Sequence, residues 1–350
     1  MLVDLARVAA GAGMEMSVVS LMPTDGLAYP AALERAGVEV VSLGLRSPWD
    51  PRGPRRMREV LRLLRPEVVH SHLKHADVVV ALALRGSAVP QVSTLHVIED
   101  RVRGVARLKR NLAARVRNAR AARTIAVSEA VRRWYLEECG GDPNRVITLR
   151  NGVPAPAAYG PDDRDAIRRD LGVRTDTALA AMVAVMRPGK GHELLLSAAA
   201  LITPEVDVTF VLAGDGDLDA ELRSRAAELP VGRVVMPGYV TDVDRLLAAA
   251  DLVVHPTLAD ALPTALVQAL AASVPAVAAN VGGVPEIIGS EAGVLVPPGN
   301  AVALAEAVIS LVQDPDGRLW MGKKARERFE ERFEASGWAT RLADLYRLLA

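Results

Sequence analysis

The chain lacks the material for a disulfide, a membrane span or a polyanion-binding charge excess. Its single cysteine, Cys139, excludes an internal disulfide and fits a reduced, cytosolic setting, with a small buried helix residue as its plain role. No apolar run approaches ~18 residues, and no basic region followed by an apolar stretch opens the sequence, which argues against a span or a secretory leader. Lysine plus arginine (42) equals aspartate plus glutamate (42), so the chain as a whole has no electrostatic reason to bind nucleic acid. Cofactor motifs are missing too. Gly11-Ala-Gly13 follows a helix and lacks the third glycine of a dinucleotide fingerprint, and there is no Walker loop. No His/Cys cluster has metal-ligand spacing, so no metal is expected. Asp215-Gly-Asp217 can be read as metal-holding aspartates or as part of a Gly-Asp-Gly turn between a strand and a helix.

What is present is alternation. The 350 residues, 50% hydrophobic and 24% charged, have room for two domains. Strand-like runs at 17–21, 38–43, 67–70, 91–95, 124–127 and 146–149 are separated by helical stretches. A Pro- and Gly-marked segment, 151–161, reads as a linker. A second series follows at 178–184, 208–213, 234–236, 252–254, 276–279 and 293–296. Such βαβα order implies two parallel sheets, each covered by helices, with ligands at their strand ends.

The segment 251–288, DLVVHPTLADALPTALVQALAASVPAVAANVGGVPEII, carries the most chemistry. It reads as a buried strand at 252–254, a polar loop at 256–263, and a helix from Thr264 to about residue 272 that begins after Pro263. A helix start beside a strand end presents free N–H groups and partial positive charge, which suits a diphosphate. Asp260 and Gln268 flank that start, and Ser273, Gly282, Gly283, Pro285 and Glu286 follow. The segment resembles the family-4 retaining glycosyltransferases, whose pattern here is two acids separated by seven residues, then Ala-Met/Leu-Ala-x-Gly-x-Pro and Gly-Gly-x-Pro-Glu. The second acid is replaced by Gln268 and the usual glycine by Ser273.

The resemblance extends over nearly the whole chain. It implies an α/β fold of two doubly wound Rossmann-like domains facing across a cleft (GT-B), with residues 1–155 on the acceptor side and 156–335 binding the donor. A final helix, 336–350, with Trp338, Leu342, Leu345 and Tyr346 on one face, is expected to cross back to the first domain. It implies a donor site formed by Arg187 and Lys190 on the diphosphate, Gly214, Asp215, Tyr239 and Val240 around the nucleotide, and Leu262, Pro263, Thr264, Ala265 and Gln268 at the helix start. His96, in Ser93-Thr-Leu-His96, and Asp260 are the expected catalytic residues, with Ser128 and Asn151 on the acceptor side. The expected function is retaining transfer of a hexosyl group from a UDP-, GDP- or ADP-sugar to a hydroxyl of a glycan or lipid-linked glycan. No other cofactor is needed. Such a role fits cell-envelope polysaccharide synthesis.

Three features bear on that expectation. Gln268 offers one acceptor oxygen where a glutamate offers two to the ribose hydroxyls, which costs roughly 1–2 kcal/mol of donor binding. The sequence opens inside the helix at Leu2, Leu5 and Val8, without the first strand and Gly-rich loop usual in this family, a loss worth ~10 kcal/mol of burial. An upstream start or a truncated, impaired product is the expectation. These two departures keep open a non-catalytic nucleotide- or partner-binding relative, and a nucleotide-sugar epimerase is a further reading. Finally, 101–123 has nine Lys or Arg and no acid. A helical wheel places Val105, Leu108, Leu112, Val116 and Ala119 opposite Arg103, Arg107, Arg110, Arg117 and Arg120. That pattern fits either a peripheral contact with an anionic membrane at the inner face, or a core-packed helix with a solvated basic face.

Overall fold

A computed structural model describes residues 1–99 and 102–350; Arg101, in the basic stretch, lies outside the described residues. The chain divides into two compact units, one of residues 1–154 with 333–350 and the other of residues 155–332.

In the first unit, β1 (Ser17–Ser20) pairs with β2 (Glu39–Ser42), and β3 (Val69–His72), β4 (Gln91–Leu95), β5 (Ala121–Ala126) and β6 (Val146–Thr148) pair in that order. All pairings are parallel. The six strands thus form a two-stranded and a four-stranded sheet, and β1 and β3 each have a partner on one edge only among the described residues. Burial follows this division. β4 is buried along its whole length, whereas β1 and β2 have no fully buried residue.

The helix Ala335–Arg347 completes this unit's core, packing Trp338, Ala339, Leu342 and Leu345 against Leu5, Val92, Ile125 and Leu149. Each large side chain so buried contributes about 1.5–3 kcal/mol. The entry into this helix is fixed by pairing with Val153. Val153 N donates to Phe333 O (2.9 Å) and Ala335 N donates to Val153 O (3.0 Å). Gly152 is required at this junction, because a Cβ there would stand 2.9 Å from Glu334 O and Ala335 Cα.

The second unit is one six-stranded parallel sheet, ordered β12 (Gly293–Val296), β11 (Ala276–Ala279), β10 (Leu252–His255), β7 (Ala178–Val183), β8 (Val208–Ala213) and β9 (Val234–Gly238). Strands β8, β10 and β11 are buried throughout, as expected of a sheet covered on both faces. The winding reverses between β7 and β10, which are neighbours. Their carboxyl ends therefore open the crevice in which doubly wound sheets bind ligands.

Candidate active site

In the second unit the loops leaving β7 and β10 meet. After β7, residues 184–191 carry Arg187 and Lys190. After β10, residues 256–263 carry Asp260 and lead into the helix Thr264–Ala271. Lys190 Nζ lies 2.6 Å from Asp260 Oδ2. The loops are locked together by backbone, since Gly189 O accepts from Leu258 N (2.8 Å) and from Thr257 Oγ1 (3.2 Å). A third segment closes behind Asp260. Gly282, with φ +51°, passes so near that a Cβ there would sit 1.9 Å from Asp260 O, and Gly283 N donates to that same oxygen at 3.1 Å. The Gly-Gly pair is thus the backing of the acid.

Burial works to raise the Asp260 carboxyl, but His255 and Lys190 outweigh it and hold the group below its usual value. Lys190 is the nearer and makes the hydrogen bond. His255 Nε2, at 3.6 Å, stands beyond hydrogen-bond length and acts only through its proximity.

The helix start is open. Pro263 is the N-cap and makes no side-chain cap bond. The first backbone donors to find an acceptor are Leu266 N and Val267 N, both to Pro263 O; Thr264 N and Ala265 N have none among the described residues. Thr264 is exposed, Leu262, Ala265 and Gln268 are half-buried, and the Gln268 side chain makes no hydrogen bond among the described residues. Arg187 and Asp215 are exposed. Their loops are tied by Met186 N donating to Asp215 O (2.7 Å), and Gly214 N reaches Gly238 O (2.9 Å), beside the half-buried Val240 and the exposed Tyr239. Nearly the whole expected donor set is therefore gathered on adjoining loops at one end of this sheet.

In the first unit, His96 follows β4 directly, and its Nε2 is 2.9 Å from His72 Nδ1 at the end of β3. His70, two residues before on the same strand face, bridges Thr94 Oγ1 (2.6 Å) and Tyr346 OH (2.5 Å). The rings of His70 and His72 are 4.3 Å apart at their centroids. Burial is the first cause pushing all three imidazoles down, His96 to about 4 and His70 to about 3, with the neighbouring histidines adding to the effect on His70 and His72. They are neutral near pH 7. Sequence reasoning missed His70 and His72, although their alternation in HSH at a strand end was the available signal. Ser128 is fully buried and caps the helix Glu129–Cys139, accepting from Val131 N (3.3 Å). Asn151 is half-buried, next to the Gly152 junction.

The helix Gly104–Arg120 corrects the wheel drawn for the basic stretch: the helix is packed into the unit, but through Arg110, Ala113, Ala114 and Arg117. Arg110 and Arg117, drawn on the solvent side of the wheel, are buried, while Val105, Leu108 and Leu112 are exposed. Arg117 turns inward because Asp77 waits there. Nη2 is 2.5 Å and Nε 3.1 Å from its Oδ2, with further bonds to Ser93 Oγ and Tyr135 OH. No helix of the described residues is long and apolar enough to cross a membrane.

Two family models match the chain, Glycosyltransferase Family 4 over residues 1–155 and Glycosyl transferases group 1 over residues 163–328. The alpha-maltose-1-phosphate synthase of Mycolicibacterium smegmatis is 30% identical over 80% of this chain and 78% of its own length. The N-acetyl-alpha-D-glucosaminyl L-malate synthase of Bacillus anthracis is 26% identical over 85% and 79%. Among solved structures, Anabaena HepE in complex with UDP superposes with a TM-score of 0.85 over 99% of this chain and 96% of its own, at 24% identity, a likeness of fold. The parallel α/β architecture is thus that of the GT-B glycosyltransferases, and the chain belongs to glycosyltransferase family 4 and is a glycosyltransferase.

Proposed function

We propose that the protein transfers a hexosyl group, with retention, from a nucleotide diphosphate sugar to a hydroxyl of a glycan or lipid-linked glycan. The observation that carries this reading is the Lys190–Asp260 pair at the open start of the helix Thr264–Ala271, at the point where the sheet's winding reverses. The departing group is a diphosphate, so the main demand is to stabilise negative charge growing on its bridging oxygen. Lys190, Arg187 and the free N–H groups of Thr264 and Ala265 supply fixed positive charge for that purpose. Asp260 then faces the sugar, Gln268 the ribose hydroxyls, and Gly214, Asp215, Tyr239 and Val240 the nucleoside. In the first unit, His96 serves the acceptor hydroxyl. Because burial keeps it neutral, it is able to accept a proton or a hydrogen bond at pH 7.

UDP-, GDP- and ADP-sugars are all candidates, with UDP the first to try because a protein of the same fold has been solved with it. Thermal melting with each nucleotide sugar, followed by donor turnover with and without acceptors, tests the reading. A donor at 100 times its Kd adds ~2.7 kcal/mol. A melt blind to every nucleotide would defeat it, binding without turnover would favour a non-catalytic relative, and donor conversion without an acceptor would favour an epimerase.

A second observation supports a membrane-held acceptor. Val105, Leu108 and Leu112 form an outward apolar stripe flanked by Arg103, Arg107, Lys109 and Arg115, with no acid in the helix. Such a face suits the cytoplasmic surface of an anionic membrane. Co-sedimentation with phosphatidylglycerol vesicles should exceed that with phosphatidylcholine vesicles and fall in Leu108→Glu. Equal binding to both lipids would refute a charge-driven contact.

A further inference from the structure

Two arginines of the helix Gly104–Arg120 are buried in the first unit, and they are not equivalent. Arg117 is neutralised by Asp77. Arg110, 6% exposed, has no carboxylate partner among the described residues. Its Nη1 donates to Glu99 O (2.9 Å), and its Nε and Nη2 donate to Asn111 Oδ1 (3.2 and 3.1 Å), all neutral oxygens. A guanidinium cannot escape by losing its proton, and a buried charge without a counter-ion is costly. Three of its five N–H groups are engaged by these bonds.

Arg110 lines a pocket of about 540 Å³, counted with its open mouth, together with Lys74, Thr94, His96, Trp134 and Cys139. The one carboxylate on the wall among the described residues, Glu99, is held by Lys74 at 2.5 Å. The Trp134 indole N–H is buried without an acceptor among the described residues. Among the described residues the wall therefore has a surplus cation, a spare donor and a neutralised acid.

We propose that this pocket is an anion subsite, in which Arg110, with Lys74 beside it, takes a phosphate or carboxylate group. That the anion belongs to the acceptor rests on the glycosyl transfer proposed above, because His96 lies on the same wall; that the pocket binds an anion does not depend on it. The subsite makes the protein selective for acceptors that carry a negative group near the receiving hydroxyl.

Cys139, the only cysteine, lies on the wall and reports on the site without donor or turnover. Burial raises its thiol, so alkylation by N-ethylmaleimide is followed at alkaline pH. Inorganic phosphate at ten times its Kd should slow the reaction about tenfold, in proportion to occupancy. Sodium chloride of equal ionic strength should not. Arg110→Gln should abolish the protection with the melt retained, and Arg110→Lys should keep part of it. If Arg110→Gln fails to fold, Lys74→Gln, at the more exposed cation, should still weaken it severalfold. Protection by glycerol 3-phosphate but not by phosphatidylglycerol vesicles supports the subsite with a soluble acceptor, and the reverse supports it with a lipid headgroup. No protection by phosphate, equal protection by chloride, or full protection in Arg110→Gln overturns the proposal. Phosphate captured by the Lys190 loop leaves Cys139 unaffected, so failure here is separate from failure of the donor site.

Discussion

Lys190 Nζ stands 2.6 Å from Asp260 Oδ2, so the cation assigned to the donor diphosphate is already neutralised by the acid assigned to the sugar. The two cannot be treated as independent contacts. A nucleotide must draw Lys190 from Asp260, or share it.

Asp260→Asn should therefore separate binding from turnover. With the carboxylate gone, Lys190 is free, and the affinity for a nucleoside diphosphate measured by calorimetry should rise severalfold. Turnover should fall on the order of 10²-fold, the usual cost of losing one contact made to the reacting centre. Lys190→Ala should lower both. A drop in nucleotide affinity in Asp260→Asn would contradict this coupling.

Gln268→Glu supplies the second acceptor oxygen and the charge that family members have here. Donor KM should fall about tenfold, a gain of roughly 1–2 kcal/mol, with kcat unchanged. Steady-state kinetics over donor concentration checks it. An unchanged KM would mean that Gln268 does not reach the ribose.

Gly282→Ala should be damaging out of proportion to one methyl group. The residue has φ +51° and no room before Asp260 O. The strain costs on the order of 1–3 kcal/mol before any clash is counted. The second unit's melting temperature should fall and nucleotide binding should weaken, while amide exchange in the first unit stays as it was.

Acid should weaken the first unit. The depressed imidazoles of His70, His72 and His96 remain neutral in the folded chain while the unfolded chain takes up protons near 6.5. The unfolded state then binds more protons, so stability falls as pH drops from about 6.5 toward about 4, where His96 finally charges. Urea unfolding between pH 7 and 5 should show the loss, and His70→Gln should flatten the slope. A pH-independent first transition would exclude the effect.

Much of this was legible in the sequence, and what was hidden has physical reasons. The alternating apolar runs located the parallel strands, and the Pro263-Thr264 step located a helix start within a residue. Lys190 and Asp260 could be named, but not their mutual bond, because they come together only when β7 and β10 become neighbours. The burial of Arg117 could not be read from a helical wheel, which turns every charge outward. Its partner Asp77 is 40 positions away and reaches it only by folding. Arg110 was hidden by the wheel alone, since its partners Glu99 and Asn111 are near in sequence, and the His72–His96 contact because it joins the ends of two separate strands.

The place of the last helix also orders events during synthesis. The second unit is one unbroken stretch, 155–332, and has all its strands and helices once those residues leave the ribosome. The first unit, though translated earlier, must wait with its Leu5–Val92–Ile125–Leu149 surface uncovered until Trp338 and Leu342 emerge. The half made first is thus the half finished last, and throughout that interval its greasy seam is a natural client for chaperones.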